Sequence, residues 1–173
     1  ADRGTPINDK WHPDVPLPEN IQFSVVGTKD VPLPSKLDTD ATIDLYRSLM
    51  GELLWPSRMC CPKLQYATSV LSRVVSIAGE QHLQYAVQTL KFAYDDRDTG
   101  IRFRSDGNRT LAAAYDASDN PDPKDGKSQF GFSIFLFDGP IDSCSKKTSR
   151  VGTSTTHNEY IAMSKCARRL RFC

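Results

Sequence analysis

The chain has 173 residues, of which 39% are hydrophobic, and this is enough to bury the core of one domain or two small ones. Its 22 lysines and arginines nearly balance 21 acidic residues, so the net charge of +1 provides no general attraction to a polyanion. Any nucleic-acid contact therefore has to be local. Five cysteines without a CxxC spacing and only three histidines argue against a disulfide framework and against a zinc site.

Targeting signals are not evident in the sequence. No basic and apolar signal-peptide pattern opens the chain, and no apolar run approaches the roughly 18 to 20 residues that span a bilayer. We therefore expect a soluble intracellular protein that is not secreted and has no membrane partner.

Residues 1–41 form a proline-rich segment, in which fixed φ angles and missing N–H donors exclude long helices and central strands. We interpret this segment as an extended lead-in with one short strand over residues 21–26. Its prolines are Pro6, Pro13, Pro16, Pro18, Pro32 and Pro34.

Helical spacing of apolar residues begins at Thr42 and recurs in three stripes. The first ends near Pro56, the second covers residues 64–75 and stops at Gly79, and the third covers residues 83–94. Three amphipathic helices with short connections are expected to pack on one another. His82 lies near the start of the third helix, where a lone histidine is more typical of packing or capping than of metal binding.

Strand-like alternation replaces the helical period after Gly100. Short strands are predicted over residues 101–104, 110–115, 129–137 and from 141 to 144, with a polar loop over residues 119–127 and a further extended stretch at 150–153. Ser154 or Thr156 then caps a final helix. The pattern indicates mainly three antiparallel strands followed by a helix.

Two acids are the candidate catalytic residues. Asp116 ends an apolar strand, and Glu159 is expected in the first turn of the last helix. Carboxylates on rigid elements suit Mg²⁺ and leave coordination positions open for substrate and water. Each acid has an ordinary alternative, because strand-end aspartates often cap turns and acids near helix N-termini interact favourably with the macrodipole.

Basic residues near these acids also have two interpretations. Lys146 and Lys147, and the later group Arg168, Arg169 and Arg171, are suited to phosphate contacts, or else form a solvated face or a helix C-terminal turn. The acids Asp119, Asp122 and Asp125 lie among prolines and Gly126, and we interpret them as a solvated turn.

Several ordered motifs carry a family resemblance. Residues 116–118 (Asp-Ala-Ser), 127–129 (Lys-Ser-Gln), 145–147 (Ser-Lys-Lys) and 154–156 (Ser-Thr-Thr), followed by Glu159 and Tyr160, resemble the ribonuclease H domain of copia-type (Pseudoviridae) retrotransposon Pol polyproteins. Upstream, residues 46–54 and 67–73 are similar to the segment that joins the reverse transcriptase thumb to that domain. The resemblance covers residues 42–167.

The resemblance implies an α/β (α+β) fold with a partial ribonuclease H-like domain. It divides the chain into the end of the thumb region (1–41), a three-helix connection segment (42–100) and the partial domain (101–173). The implied activity is hydrolysis of RNA in an RNA/DNA hybrid with two Mg²⁺ ions, or Mn²⁺, held by Asp116 and Glu159. We assign nucleic-acid contacts to Lys146, Lys147, Ser154 and Thr155.

The implied partners are the RNA/DNA hybrid and the rest of the Pol polyprotein, in a cytoplasmic virus-like particle or in the nucleus. By the resemblance, the family's next acid would lie beyond the helix that contains Glu159, and the polymerase palm would lie upstream of residue 1. We therefore expect the chain alone to cleave weakly or not at all. The alternative is a non-catalytic remnant that acts as a protein-interaction or nucleic-acid-binding module.

Overall fold

The computed structural model describes residues 15–17, 40–118, 122 and 125–173, and it shows a mixed α and β fold. The mixed fold class is thus confirmed, whereas the strand predicted over residues 21–26 lies outside the described residues. No described helix combines the length and apolar character needed to cross a membrane. The elements in chain order are α1 (Asp40–Met59), α2 (Gln65–Leu71), α3 (Glu80–Asp95), β1 (Ala112–Ala117), β2 (Gln129–Leu136), β3 (Gly139–Lys147) and α4 (Thr155–Leu170), with 3₁₀ turns at Pro62–Leu64 and Ser72–Val74 on either side of α2.

The three predicted helices before Gly100 are present, but two of their boundaries were wrong. Helix α1 continues through Pro56 to Met59. Proline removes only one backbone donor, and the hydroxyl of Ser57 donates to the carbonyl oxygen of Leu54 at 2.8 Å, while the Cys60 N–H donates to Pro56 at 3.0 Å. The second helix is shorter than its apolar stripe, because 3₁₀ turns replace both of its ends.

The helices enclose one apolar core, and Tyr46 lies at its centre. The Tyr46 side chain is completely buried and packs in a cluster with Met50, Leu71 and Ala86. Its hydroxyl donates a hydrogen bond of 2.8 Å to the backbone carbonyl of Leu71, which satisfies the one polar atom of a buried ring. This bond ties α1 to the end of α2.

His82 is a capping residue, as its position predicted. The side chain is fully buried, and its Nδ1 accepts a hydrogen bond of 2.9 Å from the backbone N–H of Gly79, the N-cap residue of α3.

The three strands form an antiparallel sheet in the order β1, β2, β3. Asp116 in β1 is opposite Gly131, and Ala117 is opposite Phe130. The β2–β3 hairpin turns at Phe137 and Asp138, whose φ angles of 52° and 61° match the left-handed conformation that a tight hairpin requires.

The strand predicted over residues 101–104 is absent. That segment has no ladder and makes only a single bond to the hairpin turn, from the Arg104 N–H to the carbonyl of Phe137 at 3.0 Å. The extended stretch predicted at 150–153 is also not a strand. Alternation over four residues does not produce a strand unless a partner strand is available to pair with it.

The sheet has a different neighbour on each face. Helix α4 packs against β1 and β2, where Ala162 joins Ala117 and Phe130 in a small buried cluster. On the other face, the amide of Gln65 in α2 donates to the Ser143 hydroxyl at 2.6 Å and to the Ser143 carbonyl at 3.1 Å. The helical segment and the sheet therefore pack directly against each other.

We predict that Tyr46→Phe lowers the free energy of unfolding by about 1 kcal/mol, because the buried Leu71 carbonyl loses its side-chain donor while the apolar packing remains. Urea unfolding followed by circular dichroism measures this difference. The matched control is Tyr160→Phe, since Tyr160 is exposed and the change should leave stability nearly unaltered. Equal stability of the two variants would contradict the assignment of Tyr46 as a core anchor.

Candidate functional site

Asp116 is the next-to-last residue of β1, an outer strand of the sheet in the described part of the chain. Its side chain is exposed, whereas the following residue, Ala117, is buried against α4. Successive side chains of a strand point to opposite faces, so Asp116 is directed away from the face that Ala117 packs on. The carboxylate therefore lies at the accessible end of the edge strand.

Glu159 is the fifth residue of α4, and this corrects the expectation that it lies in the first turn. The first turn of α4 contains no acidic residue. Because the helix macrodipole acts mainly within the first turn, it gives little reason for an acid at this position. The Glu159 side chain is exposed.

The packing of α4 on the sheet brings the elements that carry the two acids together. Asp116 precedes Ala117, and Glu159 lies three residues before Ala162, which places Glu159 and Ala162 on neighbouring positions of the helix surface. Ala117 and Ala162 belong to the same buried cluster. The contact between β1 and α4 thus brings together the strand and the helix that carry the two acids, while the Asp116 side chain is directed to the face of the sheet opposite α4.

Two carboxylates match Mg²⁺ in ligand type but supply few ligands. Hard oxygen donors are the ligands that Mg²⁺ prefers. Within the described ranges, however, no three His, Cys, Asp or Glu side chains are grouped so that they could hold a metal ion. A two-metal centre requires more protein donors than Asp116 and Glu159 provide. The arrangement therefore suits weak binding of a divalent ion at most.

The four residues assigned to nucleic-acid contacts lie in different settings. Lys146 is exposed on β3, and Thr155 is exposed at the start of α4. Ser154 is the N-cap of α4, and its hydroxyl accepts a hydrogen bond of 3.2 Å from the His157 N–H. The Lys147 ammonium is paired within the protein, at 2.5 Å from Asp122 and 2.6 Å from Asp125.

A buried polar network around Asp122 was not predicted, and the interpretation of Asp122 as part of a solvated turn was wrong. Asp122 is only 4% exposed and pairs with Arg73 at 3.6 Å as well as with Lys147. Arg73 also donates to Gln129, whose amide in turn donates to the Ser145 hydroxyl at 2.8 Å. The network links the helical segment, the loop after β1, and the strands β2 and β3.

Burial and neighbouring charges shift the pKa values of Arg73 and Asp125 in this part of the fold. Burial lowers the pKa of the Arg73 guanidinium below its usual value, although the nearby Asp122 carboxylate opposes this effect. Burial alone would raise the pKa of Asp125, but the hydrogen bond and charge of Lys147 outweigh it, so the pKa of Asp125 lies below its ordinary value. Asp125 is therefore charged at neutral pH, and ion pairs with Lys147 hold both Asp122 and Asp125.

The sequence of this chain is similar to those of several known proteins. The chain is 30% identical over 121 residues to a putative transposon Ty5-1 protein of Saccharomyces cerevisiae, covering 69% of this chain and 39% of that protein. It is 28% identical over 127 residues to the retrovirus-related Pol polyprotein from transposon RE1 of Arabidopsis thaliana, covering 73% of this chain and 9% of that protein. The chain is related to retrotransposon Pol polyproteins. The resemblance found in the sequence is confirmed at this level.

A third relative is not a retrotransposon polyprotein by name. The secreted RxLR effector protein 161 of Plasmopara viticola is 28% identical over 120 residues, which cover 69% of this chain and 84% of the effector. The chain thus spans only a minor part of the yeast and plant relatives but most of this third one. No family model matches the chain, and no solved structure matches it.

The buried network predicts that Asp122→Asn lowers the free energy of unfolding by about 3 kcal/mol, because Arg73 loses its carboxylate partner in a site that water enters poorly. Thermal and urea unfolding measure the change. The control is Asp98→Asn, since Asp98 pairs with Arg97 on the surface and its side chain is 87% exposed, so stability should hardly change. A loss at Asp122 no larger than at Asp98 would show that the network contributes little.

Proposed function

We propose that this chain comprises the connection segment and the N-terminal part of the ribonuclease H domain of a copia-type retrotransposon Pol polyprotein. The parent activity in this proposal is metal-dependent hydrolysis of the RNA strand in an RNA/DNA hybrid. The observation that carries it is the packing of α4, with Glu159, against β1, with Asp116. The relationship to retrotransposon Pol polyproteins supports the same assignment.

The chemistry of the proposed site rests on two exposed carboxylates. A bound Mg²⁺ or Mn²⁺ would supply a Lewis acid for the scissile phosphate and an activated water. Asp116 and Glu159 would hold the ion from a strand and a helix, two rigid elements whose relative position is fixed by the Ala117–Ala162 contact. Because two carboxylates hold such an ion weakly, we propose that the chain alone cleaves hybrids weakly or not at all.

The proposed partners follow from the same assignment. They are the RNA/DNA hybrid and the rest of the Pol polyprotein, located in a cytoplasmic virus-like particle or in the nucleus. Lys146, Thr155 and Ser154 are the proposed phosphate contacts, and Lys147 belongs to the same proposal although its ammonium is already paired with Asp122 and Asp125.

A second candidate function is a non-catalytic interaction module. It is favoured by the similarity to the secreted RxLR effector protein 161, because this chain covers 84% of that protein and the effector is not a Pol polyprotein by name. The outer edge of β1 has no paired strand among the described residues, and such an edge can accept a strand from another chain. The two candidates differ in whether the exposed carboxylates matter.

We predict that Asp116→Asn reduces any cleavage of a labelled RNA/DNA hybrid to background in Mg²⁺ and in Mn²⁺, because the ion loses one of its two carboxylates. Glu159→Gln should have the same effect. Both side chains are exposed, so the unfolding free energy should change by less than about 0.5 kcal/mol. Gel analysis of the labelled RNA strand measures cleavage, and the wild-type chain is compared at equal concentration.

The matched control is Asp106→Asn, an exposed acid that pairs with Arg104 in the turn before β1 and is not assigned to the proposed site. It should cleave as the wild type does. Equal cleavage by Asp116→Asn and Asp106→Asn would refute the site. The interaction module would be favoured if the folded wild-type chain cleaves the hybrid in neither metal. This conclusion also requires that Asp116→Asn and Glu159→Gln leave binding of the hybrid unchanged.

A further inference from the structure

A basic cleft of about 840 Å³ lies between the end of α1, the strand β3 and the C-terminal half of α4. Its lining is strongly asymmetric in charge, although the whole chain has a net charge of only +1. Six cationic side chains and one carboxylate line it: Arg58, Lys146, Lys147, Lys165, Arg168 and Arg169, with Asp142. A concave surface that collects one sign of charge focuses the field on its interior.

Two of these cations are neutralised within the protein. Lys147 pairs with Asp122 and Asp125, and Arg169 pairs with Asp142. The other four form no ion pair with any residue that the structure describes: Arg58, Lys146, Lys165 and Arg168. All four are exposed. The positive charge of the cleft is therefore available to a ligand.

The macrodipole explains only part of this clustering. Arg58 lies in the last turn of α1 and Arg168 in the last turn of α4, where cations are favoured in any helix. Lys146 lies in a strand, and Lys165 lies more than a turn before the end of α4, so neither has this explanation. Four cations from three separate elements meet at one cleft.

The electrostatics of Cys144 show the same convergence. Burial raises the pKa of the Cys144 thiol; the charges of Lys146, Arg58 and Arg169 act against that increase, and the Asp142 carboxylate adds to it. Since Cys144 also lines the cleft, residues from α1, β3 and α4 all act on one atom in its wall. The lining of the cleft thus brings charges from α1, β3 and α4 to one surface.

We propose that this cleft binds the phosphate backbone of a nucleic-acid strand, and the proposal rests on the function proposed above. Serine hydroxyls line the cleft beside the cations, and both groups are common phosphate contacts in nucleic-acid complexes. The shape favours a strand over an anionic membrane, because a flat bilayer matches a flat or convex basic surface, whereas a flexible backbone enters a cleft.

The test is the double substitution Lys165→Gln with Arg168→Gln, measured by fluorescence anisotropy on a labelled RNA/DNA hybrid with a single-stranded overhang. EDTA is present, so binding is measured without metal-dependent cleavage. We expect about tenfold weaker binding at low salt and a slope of log K against log salt that is smaller by roughly 1.5, because two phosphate contacts are lost. Arg58→Gln, on the opposite wall, should weaken binding in the same direction.

The matched control is Lys91→Gln with Arg109→Gln, which removes the same charges from exposed positions outside the cleft. The proposal would be overturned if both double variants lose the same affinity for the hybrid, or if the cleft variants lose none. Binding to phosphatidylserine vesicles without binding to the hybrid would also overturn it. The presence of EDTA separates the two proposals, because binding is then measured without the proposed metal site. If cleavage is absent but the cleft variants still weaken binding, only the catalytic proposal fails.

Discussion

The close contact of α4 with the sheet is the constraint on which the proposed site depends. Ala117 and Ala162 are small, so the helix can approach the strands closely beside Phe130. Larger side chains at either alanine would force the helix outward, because a packed core has no room for added methylene groups. Asp116 precedes Ala117 in β1 and Glu159 lies about one turn before Ala162 in α4, so the relative position of the two elements that carry the acids depends on this contact.

The opposite face of the sheet is stabilised by ion pairs and hydrogen bonds. Arg73, Asp122, Lys147 and Gln129 form a network of buried charges and amides between the helical segment and the strands. Such networks require nearly complete pairing, since each unpaired member would be costly to bury. The sheet is therefore fixed by apolar packing on one face and by polar pairing on the other, and the loop after Asp116 is held by the polar side.

Sequence patterns predicted the elements well and the polar network poorly. The helical stripes and the alternation of β2 report burial of neighbouring residues, so they gave the three helices, the three-stranded antiparallel sheet and α4. Residues 101–104 alternate too, but pairing depends on a partner that local pattern does not contain. Asp122 looked like a turn residue because its partner Arg73 lies in a different element, distant in sequence. The cleft at Lys165 was hidden for the same reason.

The proposed pairing of Asp116 and Glu159 around one metal ion is tested most directly by line broadening by Mn²⁺ in amide NMR spectra of the chain. Paramagnetic broadening detects an ion that is bound only weakly, so it does not require a complete catalytic centre. We expect selective broadening of the amides around residues 116 and 159, and loss of both effects together in Asp116→Asn and in Glu159→Gln. Broadening at only one of the two positions, or broadening that persists in both variants, would contradict it.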